Sequence, residues 1–206
     1  MSSNPDAVSM FGKAVEQHLE VVRQMEAQLP LLAAIALAMT TALRAGGKIL
    51  WCGNGGSAAD AQHMASELVG RFCRERRGLA SIALTTDASI LTSVANDYGY
   101  QVVFSRQIEA LGNAGDVLVA ISTSGKSANV IAALEAARAR GLVTVGFTGE
   151  GGGKMAALAD HLLAIPSRET ARIQEGYVLA GHLLCDWMER DCLSADAEHT
   201  ESEAAQ

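Results

Sequence analysis

The sequence predicts an α/β fold: a three-layer α/β/α sandwich with a central parallel sheet, preceded by a helical N-terminal segment. Three observations carry this. From Lys48 onward, short apolar runs alternate with stretches of helical periodicity, the pattern of strands covered on both faces. Small-residue turns follow the runs that end at Cys52 and Ile121, where open α/β sheets take their ligands. The composition is 49% apolar with only 4% aromatic residues and 20 glycines, which suits close packing of helix on sheet.

The elements follow in order. Met1 to Ala7 is polar and expected to be disordered. Val8 to Leu29 reads as a helix through Phe11, Val15, Leu19, Val22 and Met25 at helical spacing. Pro30 is expected to break it, and Leu31 to Arg44 forms a second helix, apolar all round, which suggests contact with another subunit. Gly46-Gly47 ends it. Strands are then expected at Lys48–Cys52, Ser81–Leu84, Asp116–Ile121, Leu142–Thr148 and His161–Ile165. The helices between them are expected at Ser57–Arg74, Asp87–Ala95, Val102–Leu111, Ser127–Arg140 and Lys154–Ala159, with a long last helix from Thr170 to Cys192. No linker composition divides the chain, so residues 8–193 read as a single domain, with 8–45 serving oligomerisation. The acidic tail 194–206 is expected to be disordered.

At 206 residues with a formal charge of −7, a nucleic-acid-binding surface is not expected. The basic run Arg71 to Arg77 reads as a solvated helix end with cations at its negative pole. Cys52, Cys73, Cys185 and Cys192 lack metal-type spacing and read as buried, reduced thiols. No signal peptide is visible, and the longest apolar run, Leu29 to Met39, is too short to span a bilayer. A cytoplasmic protein without membrane partners is the expectation.

Two loops carry chemistry. The first, Gly53-Asn54-Gly55-Gly56-Ser57, joins a strand to a helix N-terminus and so forms an anion-binding element of free backbone N–H groups. It also fits a dinucleotide fingerprint. That reading needs an acidic ribose ligand about twenty positions on, at the end of the next strand. That region is Arg74-Glu75-Arg76-Arg77 and the next strand ends only at Leu84, so a phosphosugar is preferred over a nicotinamide cofactor. The helix that follows places His63 and Glu67 at i and i+4 on one face, two metal ligands or a ligand and a base. The bland alternative is a surface ladder of Glu67 with Arg71, worth about 0.3–0.5 kcal/mol. The second loop, Ser122-Thr123-Ser124-Gly125-Lys126-Ser127, offers four hydroxyls where one would cap a helix. Its end resembles a nucleotide P-loop, but Ala120 stands where that pattern requires glycine. On the last helix Gln174 and His182 are separated by about 80° and about 12 Å, so only long side chains converging between them would meet. Asn96-Asp97 is explained by turn formation or by a contact to a sugar hydroxyl.

Taken together, the stretches Gly53–Phe72, Leu84–Tyr100, Ser122–Ser127, Val145–Gly153 and Arg172–His182 resemble the phosphoheptose isomerases, members of the sugar-isomerase (SIS) family. The resemblance spans Val8 to Cys192. It implies the SIS fold and conversion of sedoheptulose 7-phosphate to D-glycero-D-manno-heptose 7-phosphate through an enediol, the first step towards nucleotide-activated heptose. By position, Asn54, Gly55, Gly56, Glu67, Asn96, Asp97, Ser122, Thr123, Ser124, Ser127 and Gln174 would contact substrate. His63, Glu67, Gln174 and His182 would hold one zinc ion per subunit of a homotetramer, and Glu67 and His182 would be catalytic. The alternative is a SIS-fold adaptor that binds the replication initiator without isomerase activity. Such adaptors lack the residues equivalent to Glu67 and His182.

Overall fold

A computed structural model describes residues 4–204, with side chains as far as Ser194. Five parallel strands form one sheet in the order β2-β1-β3-β4-β5. They are β1 (Ile49–Gly53), β2 (Ser81–Ala83), β3 (Val117–Ser122), β4 (Val143–Thr148) and β5 (His161–Ala164). Every residue of β1 and β3 is buried, so both strands read as continuous apolar runs rather than alternating ones. The three-layer expectation holds.

One face of the sheet is covered by α1 (Pro5–Met25), α2 (Leu29–Arg44), α3 (Gly56–Val69) and α7 (Thr170–Ala204). Ile49, Trp51, Val117, Val119, Val145 and Phe147 point into that layer, against Ile35, Met39, Leu68, Tyr177 and Leu184. The alternate residues, Leu50, Cys52, Leu118 and Ala120, face α5 (Ser105–Leu111) and α6 (Ala128–Ala139). The remaining helix, α4 (Ala88–Tyr98), buries none of its residues fully. Burial pushes the Cys52 thiol up to about 12, so it is an inert core residue. Cys185 and Cys192 are also buried, but Cys73 is exposed, contrary to expectation.

Several boundaries differ from expectation for identifiable reasons. Asn4 caps α1 by accepting from the N–H groups of Asp6 and Ala7, and Pro5 needs no donor there, so the helix starts ahead of Val8. Pro30 sits in the first turn of α2, where its missing N–H costs nothing. The interruption falls earlier, as a 3₁₀ turn at Glu26–Gln28. Pro5–Arg44 is the one helical run among the described residues long and apolar enough to cross a bilayer by length and composition. Its buried residues Ile35 and Met39 share the apolar cluster of the sheet, as those of a core helix do.

α3 stops at Val69, short of the expected Arg74. Arg76 folds back and donates to the carbonyls of Glu67, Leu68 and Gly70, taking over the acceptors that the helix end leaves open. Cations at the negative pole were expected, and one of them binds it directly. α4 runs on to Tyr98, past the expected Ala95, and a 3₁₀ turn at Tyr100–Val102 delays α5 from the expected Val102 to Ser105. α7 runs past Cys192 to Ala204, so 194–204 is helical backbone where a disordered tail was expected.

Candidate active site

Strands β1 and β3 are hydrogen-bonded neighbours, so the loops at their carboxyl ends lie side by side. The first loop turns at Gly55, whose φ of +58° favours glycine, and no side chain caps α3. The N–H groups of Ser57, Ala58 and Ala59 bond back to the carbonyls of Asn54 and Gly55, which among the described residues leaves the Gly56 N–H of the first turn for a ligand. Asn54 faces the second loop's helix: its side-chain amide exchanges two hydrogen bonds with that of Asn129, at 2.8 and 2.9 Å. The Tyr100 hydroxyl donates to Asn54 Oδ1 as well, at 3.0 Å. Asn129 and Tyr100 brace the loop, and the sequence reading missed both. Neither lies in a spacing pattern, because the bracing joins residues far apart in the chain.

In the second loop no hydroxyl caps the helix, as the surplus of hydroxyls led one to expect. Ser127 occupies the N-cap position of α6, yet its hydroxyl lies 3.0 Å from Ser122 Oγ and caps nothing. Ser124 Oγ is 3.5 Å from Ser122 Oγ and accepts from Lys126 N–H. The hydroxyls thus cluster on one another ahead of an open helix N-terminus, as a cradle for an anion would. Gly125 (φ +62°) packs against Gly152 and Gly153 of the loop after β4. The N–H groups of Gly149 and Lys154 bind the carbonyls of Thr123 and Gly125. A side chain at Gly125 would strike the Gly152 backbone, so the two loops form one rigid unit.

α3 and α7 run side by side in the same direction. Gly56 meets Gln174 at their starts, and Met64 lies against Gly181 further along. There His63 Nε2 is 3.1 Å from Glu67 Oε1 and 3.4 Å from His182 Nε2. One donor atom from each of the three residues lies within 4.8 Å of the others. Glu67 therefore does not form the surface ladder with Arg71, which instead approaches Glu75 at 3.7 Å. The two imidazole rings meet edge to face, and Phe72 stacks on His182 with ring centroids 5.1 Å apart. Two imidazoles and a carboxylate, half-buried and converging, have the donor chemistry that fits a divalent metal such as zinc.

The structure brings His63, Glu67 and His182 together and sets Gln174 against the first loop. Gln174 also lines an open cavity of about 600 Å³ with His18, Gly56, Asp60 and Glu175. Burial raises the Asp60 carboxyl above its ordinary value, opposed by the charge of His63. Asn96 and Asp97 lie exposed in the last turn of α4 and bond to each other, with no side-chain hydrogen bond to either loop among the described residues.

The comparisons with known proteins agree with this architecture. The sequence profile of the SIS domain matches residues 10–149, which defines the class. The phosphoheptose isomerase of Roseiflexus sp. (strain RS-1) is 55% identical over 177 residues, covering 85% of this chain and 90% of that one. The solved phosphoheptose isomerase of Neisseria gonorrhoeae superposes with a TM-score of 0.81 at 46% identity, over 90% of this chain and 97% of the other. The enzyme of Francisella tularensis gives 0.84 at 38% identity, over 92% and 100%. The chain belongs to the phosphoheptose isomerase family of SIS-domain proteins.

Proposed function

We propose that the protein interconverts sedoheptulose 7-phosphate and D-glycero-D-manno-heptose 7-phosphate. The observation that carries the reading is the convergence of Glu67, His63 and His182 between α3 and α7, with a separate hydroxyl cradle after β3 for the phosphate. The adaptor alternative has no comparable support, since both residues that such adaptors lack are present and lie in one cluster with His63.

Moving a carbonyl from C2 to C1 requires loss of a proton from C1, passage through an enediol, and delivery of a proton to C2. Glu67 is the base for the carbon-bound proton. Its Oε1 is turned to His63, whereas Oε2 accepts no hydrogen bond among the described residues, so one oxygen remains for the proton. His182 moves protons between the two substrate oxygens. Ser122, Thr123, Ser124 and Ser127 hold the phosphate with neutral donors, while Asn54, Gly55, Gly56 and Gln174 steady the reacting end, with Asn96 and Asp97 as further substrate contacts. His63, Glu67, Gln174 and His182 would hold zinc, one ion per subunit of a cytoplasmic homotetramer. Zinc would supply polarisation of the carbonyl oxygen.

The deciding experiment supplies sedoheptulose 7-phosphate to the purified protein and follows the aldose product, with added zinc and with a chelator. Turnover is expected with zinc. Absence of product in both conditions would sink the isomerase reading.

A further inference from the structure

We propose that Phe72 is a positioning residue for His182, held in place by a buried ionic clamp between Glu189 and Arg76; the inference rests on the isomerase reading for its catalytic consequence. Glu189 has no solvent exposure, and its carboxylate accepts the consecutive backbone N–H groups of Phe72, Cys73 and Arg74 at 2.6, 2.9 and 3.0 Å. Three convergent N–H groups make an anion nest, here filled by the protein's own carboxylate. Burial raises the Glu189 carboxyl, but those three N–H groups and the Arg76 charge together hold it below the ordinary carboxylate value. It is a fixed anion.

Arg76 is equally buried, 3.3 Å from Glu189 Oε1. The same guanidinium donates to the carbonyls of Glu67 and Leu68 in the last turn of α3. Glu189 follows His182 by seven residues, two turns along the same face of α7. One buried pair therefore ties together the helix end that presents Glu67, the helix that presents His182, and the irregular segment between Gly70 and Gly78. A buried ion pair is weak as a source of stability compared with apolar packing, so its geometry is the more informative property. That geometry delivers one side chain to the site. The Phe72 ring lies on His182 at 26° to its plane, while His63 meets His182 edge-on at 80°. Packed against both rings, His182 keeps Nε2 directed at His63. Without Phe72, one face of the imidazole is open and its ring torsion is free.

The test compares Phe72→Leu, which keeps apolar volume, with Phe72→Tyr, which keeps the ring. The His182 imidazole proton, assigned in NMR spectra by its loss in His182→Gln, is expected to carry a ring-current shift that disappears in Phe72→Leu and stays in Phe72→Tyr. With sedoheptulose 7-phosphate, Phe72→Leu is expected to lower kcat about 10-fold with KM little changed, and Phe72→Tyr to restore it. Glu189→Gln is expected to move the same resonance; should that variant fail to fold, the Phe72 pair decides alone. An unshifted His182 resonance in Phe72→Leu overturns the proposal, as does an unchanged kcat. So does a loss of kcat that Phe72→Tyr does not recover and that tracks a lower Tm. If the wild type shows no turnover, the isomerase reading fails, and the resonance still decides whether Phe72 positions the imidazole.

Discussion

Individual side chains set the chemistry. Glu67 and His182 are expected to be needed for turnover but not for folding, since both are only half-buried at the edge of the core. Glu67→Gln and His182→Gln should each lower kcat by about 10²–10⁴-fold with Tm little changed. Near-normal rates in both would remove the acid–base assignment. A quieter test lies at Gly56, where an added methyl would meet the Gln174 amide, the movable end of a long side chain. Gly56→Ala should therefore fold normally while displacing Gln174, with kcat/KM falling on the order of 10–100-fold; an unaltered value would place Gln174 outside the reaction. The His63–Glu67 pair was legible in the sequence because helical spacing alone puts both on one face. His182 was not legible in that way. Nothing in Gly181-His182-Leu183 distinguishes a ligand from a core histidine, and only the family resemblance assigned it. Asn129, Tyr100 and Phe72 carry long-range contacts, which no local pattern announces.

Elements place those side chains. The loop after β3 was readable as a ligand cradle from its surplus of hydroxyls, and the unused N-cap at Ser127 agrees. Ser124→Ala should raise KM more than it lowers kcat, measured by initial rates across substrate concentration; the reverse pattern would mean the loop does more than hold phosphate. Behind the loops, Asp116 ties the entry of β3 to that of β1, accepting from Lys48 N–H at 2.9 Å, Lys48 Nζ at 2.6 Å and Asn113 N–H at 2.8 Å. Burial raises the Asp116 carboxyl, but these donors together hold it below the ordinary carboxylate value. A lowered folded-state value means the group's stabilisation is complete above the ordinary value and is lost as pH falls through the lowered one. The Tm gap between wild type and Asp116→Asn should accordingly be constant near neutrality and narrow below about pH 4. A gap that stays constant down to pH 3 would contradict the assignment. The end of α3 was misread because Arg74 to Arg77 looks like a charged helix face, whereas Arg76 turns inward to close the helix.

At the scale of the molecule, the alternation of apolar runs and helices announced a parallel sheet, but the strand order followed from packing that spacing does not encode. The N-terminal helices were legible as helices, and the expected assembly gives their surface a purpose. Phe11, Val15 and Leu19 lie four residues apart along α1, between 46% and 60% exposed, a stripe of apolar surface that the chain itself leaves open. Phe11→Glu combined with Leu19→Glu should shift the protein to smaller species in sedimentation while leaving its secondary structure intact. An unchanged sedimentation coefficient would place the subunit contact elsewhere.

The position of β1 between β2 and β3 also fixes an order of events during synthesis. β2 begins 28 residues after β1 ends (81 − 53), whereas β3 begins 64 residues after it (117 − 53). Until Val117 has left the ribosome, one edge of an uncharged, fully apolar strand has no partner, and such an edge invites pairing with a second nascent chain. The two ligand loops cannot stand side by side before that closure, because β1–β3 pairing is what brings them together. Binding competence is thus a late product of folding. A chain truncated before residue 117 would carry the complete Gly53–Phe72 motif and still have no site, only a sticky edge.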